Sequence, residues 1–185
     1  MKTEPAFPKT INEHDIQRYK DRGFLLTRDV LSAAEIKQFG NAVDQEVANR
    51  TLDDHRTLEQ KSTYEQSFVQ CMRLWETSPS VQPLTFHQGL AGIAAQLLEA
   101  KKVRLWQDQA LYKEPGGKDT EAHQDQTFWP IGDTPLVSAW IPFQEIDDNN
   151  GAMAYVPGSH KAGALKVVDI TLSTTPYAIL EDAAL

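Results

Sequence analysis

An α+β fold is predicted by the order of patterns along this 185-residue chain. Helical spacing of apolar residues, opened by two capping sequences, dominates up to residue 100. Strand-like alternation follows, and Pro115-Gly116-Gly117 supplies a turn after its first run. Helices first and strands later fit N-terminal helices buttressing a β-sandwich or barrel.

The first element is a short helix over residues 12–22. Thr10-Ile11-Asn12-Glu13 reads as its capping box, and Ile16, Tyr19 and the breaker Gly23 frame it. Residues 24–27, Phe-Leu-Leu-Thr, read as a strand. Ser32-Ala33-Ala34-Glu35 then opens a longer helix whose Ile36, Phe39, Val43 and Val47 fall three and four apart, which predicts an apolar stripe lying on a sheet. Residues 50–66 are charged without periodicity, as in a mobile connection or lid, and place His55 among solvated charges. A third helix is expected within residues 83–100, with Leu84, Ile93, Leu97 and Leu98 apolar and three alanines favouring it. On it, His87 packs or faces water. Residues 103–113 alternate partly, and residues 136–143, 152–156 and 165–172 are the next candidate strands.

Length suggests one domain spanning residues 1–185, large enough for a core without disulfides. A net charge of −8 and a pI near 5.1 oppose binding to phosphate backbones and anionic lipid, so nucleic-acid and membrane-surface roles are disfavoured. The nearest cations to a basic patch are Lys101, Lys102 and Arg104, too few to reverse the field. Cys71 is the one cysteine, which removes disulfide and thiolate-metal frameworks and fits a reducing cytoplasm. Within Phe68-Val69-Gln70-Cys71-Met72 it reads as a small buried thiol. The N-terminus lacks the basic and apolar regions of a signal peptide, and no run reaches the ~20 apolar residues of a membrane span.

The chemistry concentrates at His123-Gln124-Asp125. In an extended chain, residues two apart point the same way, so this imidazole and carboxylate can take adjacent corners of an octahedral ion. Two histidines and one carboxylate form the open-faced ligand set of non-haem iron oxygenases, and two of the three are present here. The competing reading is a polar loop in which His123 and Asp125 bond each other or the backbone.

Four blocks follow in one order: residues 107–117, QDQALYKEPGG; residues 123–130, HQDQTFWP; residues 137–142, VSAWIP; and residues 151–161, GAMAYVPGSHK. Together they resemble the phytanoyl-CoA dioxygenase family, densely from Arg104 onward and loosely back to Ile11. The resemblance implies a double-stranded β-helix, a cupin-like jelly roll, and an oxidoreductase. It also implies Fe(II) and 2-oxoglutarate as cofactor and cosubstrate, with O2 and a small organic molecule as the other reactants. His123 and Asp125 are then the metal ligands, and a carboxylate at Asp125 favours hydroxylation over halogenation. Gln109 and Trp140 match positions beside the cosubstrate, and Gln124 is a further candidate there. Gln70 and Arg73 are weaker candidates for the substrate side, while Phe128, Trp129 and Tyr155 suit a cavity wall. His160, in the Pro-Gly-Ser-His turn, is expected to serve the turn and not the metal.

The same resemblance implies a second metal-binding His and a 2-oxoglutarate-binding Arg further on. No His follows His160 and no Arg follows Arg104. The expectation is a chain truncated at its C-terminal end, missing strands that would close the barrel. Two rivals remain: an inactive jelly-roll binding module, and a metalloenzyme using another divalent ion at the same pair.

Overall fold

The computed structural model describes residues 9–132, 134–168 and 179–185. Four helices and a two-stranded antiparallel sheet are its main elements. They run α1 (Glu13–Arg22), α2 (Ala33–Thr51), β1 (Val69–Met72), α3 (Gln82–Thr85), α4 (Gln88–Leu97) and β2 (Gln109–Tyr112). The α+β class stands. Among the described residues no helix is long and apolar enough to cross a membrane.

α1 has the expected span, but its cap is Asn12, whose side chain accepts from Asp15 N at 2.7 Å. Asn is as good a cap as Thr and sits next to the first helical residue, so the shorter path wins over the box predicted at Thr10. The C-terminus of α1 is closed from far along the chain. Gly23 (φ +84°) donates to Tyr19 O at 2.7 Å, Gly158 N donates to Arg22 O at 2.8 Å, and His160 Nε2 meets Lys20 O at 2.9 Å. Three carbonyls that a helix end leaves orphaned are thereby satisfied. A Cβ on Gly23 would lie 2.8 Å from His160 Cγ, so the αL backbone and the ring overhead both require glycine.

α2 begins with the predicted capping box: Ser32 Oγ accepts from Glu35 N, and Glu35 Oε2 accepts from Ser32 N at 2.8 Å. Its Phe39, Val43 and Val47 are buried and Ile36 is half-buried. Val43 and Val47 share one core with Cys71, Leu74, Val81 and Ala110. A second core joins Ile11, Ile93 and Leu97 with Ile16 and Tyr19 of α1 and with Val137.

The β1–β2 register pairs Val69 with Tyr112, Gln70 with Leu111, Cys71 with Ala110 and Met72 with Gln109. Small Cys71 and Ala110 face each other on the side covered by α2, leaving Gln70, Met72, Gln109 and Leu111 on the other face. As expected, Cys71 is buried, and that burial is the largest cause raising its thiol pKa.

Two expectations need correction. The helix predicted over residues 83–100 is two helices, because His87 (ψ +122°) leaves helical geometry and caps α4, its Nδ1 accepting from Leu90 N at 3.3 Å. Residues 24–27, 136–143 and 152–156 form no strand, and only 109–112 of residues 103–113 do. Alternation sets which way side chains point, but a strand also needs a partner ladder, and these segments have none among the described residues. The candidate strand 165–172 extends beyond the described residues. The aperiodic segment 50–66 carries a 3-10 turn at Leu58–Gln60, and Arg56 ties Asp54 to Glu65 at 2.8 Å each.

Candidate functional site

Gln124 is extended (φ −106°, ψ +117°), so its neighbours His123 and Asp125 project to the same side. The chain then turns at once into a 3-10 helix, Asp125–Phe128, held by Thr127 Oγ1 on Gln124 O at 2.7 Å. The pair therefore sits at a turn, not on a strand as the alternation argument supposed. Gln124 points the other way: its Nε2 donates to Gly163 O at 2.8 Å and its Oε1 accepts from Leu165 N at 2.9 Å. It pins this turn to residues 163–165 from behind.

His123 Nε2 lies 3.0 Å from Asp125 Oδ1, and His123 Nδ1 lies 2.6 Å from Glu121 O. Both ring nitrogens face acceptors, which favours the doubly protonated imidazole. The hydrogen bond to Asp125 and then the Glu121 carbonyl raise the His123 pKa above the ordinary value of 6.5, against the opposing effect of burial. Phe128 meets the imidazole edge-on at 5.7 Å. Tyr155 stands close enough for the Asp125 charge to add to burial in raising its phenol pKa, and it stacks on Phe24 at 5.0 Å.

The donor set suits a metal ion. Two ligands about 2.1 Å from an octahedral ion at right angles are about 3.0 Å apart, the separation seen between Nε2 and Oδ1. A proton now bridges them, and an ion can replace it. The Glu121 carbonyl already holds Nδ1–H as an outer ligand partner does, turning Nε2 toward the carboxylate. No side-chain signal could have shown Glu121 in this part, since it acts through its backbone. Asp125 is half-exposed and His123 mostly covered, so the pair opens outward through the carboxylate. Among the described residues no third His, Cys, Asp or Glu converges with them to complete a metal cluster.

The other candidates lie apart from the pair. Gln109 Oε1 accepts from Gln70 Nε2 at 2.8 Å, and Gln70 Oε1 accepts from Tyr64 OH at 2.9 Å, giving a polar chain across the outer face of the sheet. Trp140 is 42% exposed. Neither Gln109 nor Trp140 bonds to His123 or Asp125. Arg73 takes an αL backbone (φ +56°) and pairs with Glu76. A concavity of about 430 Å³ lies elsewhere, between β1 and the Arg56 segment, lined by Tyr64, Gln70 and Met72 among others. His160 turns away from the pair to the end of α1, where its Nε2 meets Lys20 O.

This α+β chain brings an imidazole and a carboxylate together at one turn. A family model described as phytanoyl-CoA dioxygenase matches residues 19–171, and the chain belongs to that family. It is 36% identical over 61 residues to a probable alpha-ketoglutarate-dependent hypophosphite dioxygenase of Stutzerimonas stutzeri, covering 33% of this chain and 21% of that protein. It is 28% identical over 91 residues to phytanoyl-CoA dioxygenase 1 of Oryza sativa subsp. japonica, covering 49% and 32%. Ectoine dioxygenase of Nocardia farcinica is 26% identical over 165 residues, covering 85% of this chain and 54% of its own length. The chain thus spans about half of one curated relative and a third or less of the others. No solved structure matches it significantly.

Proposed function

We propose that this chain is part of a non-haem Fe(II)- and 2-oxoglutarate-dependent dioxygenase that hydroxylates a small organic molecule, with His123 and Asp125 holding the iron. The observation that carries this reading is the 3.0 Å approach of Nε2 to Oδ1 on a chain of this family. With iron bound, the site supplies oxidative decarboxylation of 2-oxoglutarate coupled to C–H hydroxylation. The chain's own residues orient the ligands: Glu121 O fixes the imidazole, Phe128 shields its edge, and Gln124 braces the turn. Gln109, whose amide nitrogen hydrogen-bonds no described residue, and Trp140 are proposed to flank the cosubstrate. Gln124 joins them only by releasing the 163–165 backbone. A jelly-roll barrel and a single domain over residues 1–185 belong to this proposal too.

A second reading is a binding module that keeps the scaffold without turnover, favoured by the pair having no third ligand among the described residues. Iron-dependent release of succinate from 2-oxoglutarate separates the two. The expected result is a metal-to-ligand charge-transfer band on anaerobic addition of Fe(II) and 2-oxoglutarate, abolished in Asp125→Ala. A band that survives this substitution removes the pair from the iron site.

A further inference from the structure

We infer that Lys113 is a positioning residue for His123, acting through the loop between them, an inference that rests on the metal role proposed for the pair. Lys113 follows β2 directly, and its Nζ donates to Ser67 O at 3.0 Å and Lys118 O at 2.9 Å and reaches Thr120 Oγ1 at 3.5 Å. Three acceptors match the three protons of an ammonium group. Among the described residues no carboxylate lies within ion-pair distance of it, although Glu114, Asp119 and Glu121 are close in sequence. Its charge is directed at main-chain oxygens on either side of the loop instead.

The position of those oxygens gives Lys113 its leverage. Residues 113–124 contain no helix or strand, so the direction in which His123 leaves the loop is set by cross-ties alone. Lys61 Nζ meets Glu114 Oε2 at 2.5 Å, Lys118 N donates to Gln66 O at 2.9 Å, and Ser67 Oγ donates to Asp119 O at 3.3 Å. Lys113 extends this stitching to Thr120, the residue before Glu121, whose carbonyl orients the imidazole. The lysine stem is itself held: Gly151 (φ +97°) lies over it, and a Cβ there would come within 2.9 Å of Lys113 Cδ. One side chain thus gathers residue 67, residues 118–120 and the Gly151 turn around the approach to His123. Ordering such a loop in advance lowers the cost of forming the site when an ion arrives.

The test uses Co(II) as the metal probe, titrated by calorimetry and by its visible absorption, against wild type, Lys113→Met, Lys113→Arg and Asp125→Ala. Outer supports of metal ligands typically contribute about 10- to 100-fold in affinity. Lys113→Met is expected to weaken Co(II) binding about tenfold, at the lower end because the ammonium is exposed, and Lys113→Arg to recover most of it. Amide hydrogen exchange at Lys118, whose N–H donates to Gln66 O, should quicken in Lys113→Met while α2 keeps its protection. Equal Co(II) affinity in Lys113→Met and wild type overturns the inference, as does exchange that rises equally in α2, which would mean general destabilisation. A wild-type chain that binds no Co(II), or an Asp125→Ala chain that binds it undiminished, instead overturns the metal reading and this inference with it.

Discussion

The sharpest structural prediction concerns Gly23 beneath His160. Gly23→Ala should destabilise by about 2–3 kcal/mol: about 1 for a Cβ at positive φ, and about 1–2 for driving the ring off the Lys20 carbonyl. His160→Ala alone should cost only about 1 kcal/mol, the worth of one exposed cap hydrogen bond. In the double variant no ring remains for the new methyl to displace. Its cost should be about 2 kcal/mol, at least 1 below the sum of the single changes. The assay is thermal and urea unfolding of the four proteins. For a chain of this size 1 kcal/mol moves Tm by about 2–4 °C, so Gly23→Ala should fall about 5–10 °C below wild type. Additive costs, equal within about 0.3 kcal/mol, would refute the idea that the ring dictates glycine here.

Two further predictions concern carboxylates. Asp125→Asn removes the group chiefly responsible for raising the His123 pKa, so ring-proton NMR should show the imidazole titrating lower. Because the folded value is raised, the pair stabilises the fold fully below the unfolded pKa near 6.5, and that contribution is lost as pH rises through the folded value. Metal must displace the same proton, so Co(II) affinity should climb with pH up to that value and level off above it; a flat profile contradicts the assignment. Asp108→Ala strands Leu74 N, Trp75 N and the Thr85 hydroxyl, which its half-buried carboxylate accepts at 2.8, 3.2 and 2.6 Å. A loss of about 2–4 kcal/mol in urea unfolding is expected, and less than about 1 would show that water replaces the carboxylate freely.

Features fixed by neighbours in sequence were legible before the structure. The α2 box needs only Ser32 and Glu35, three residues apart, and the convergence of His123 and Asp125 needs only one extended residue between them. The break at His87 was hidden because imidazole is an uncommon cap, and the alanines around it argue for an unbroken helix. Strand boundaries depend on partners far away in the chain, so alternation over residues 136–143 shows a face without a ladder. The contribution of Lys113 was equally invisible. Its acceptors are backbone oxygens, which every residue offers and no pattern of side chains marks.

Asp108 also governs how the two short strands are aligned. A ladder of four residues per strand could slide by one, and a slide of β1 would swing Gln70 inward and expose Cys71, as a slide of β2 would for Gln109 and Ala110. The Asp108 carbonyl takes Arg73 N at 2.8 Å while its carboxylate grips the next two amides, so the chain is clasped where β1 ends. Alignment is thus set at the end of the ladder opposite the loop that carries His123. Changes beyond Tyr112 can reshape that loop while the two glutamines stay in step.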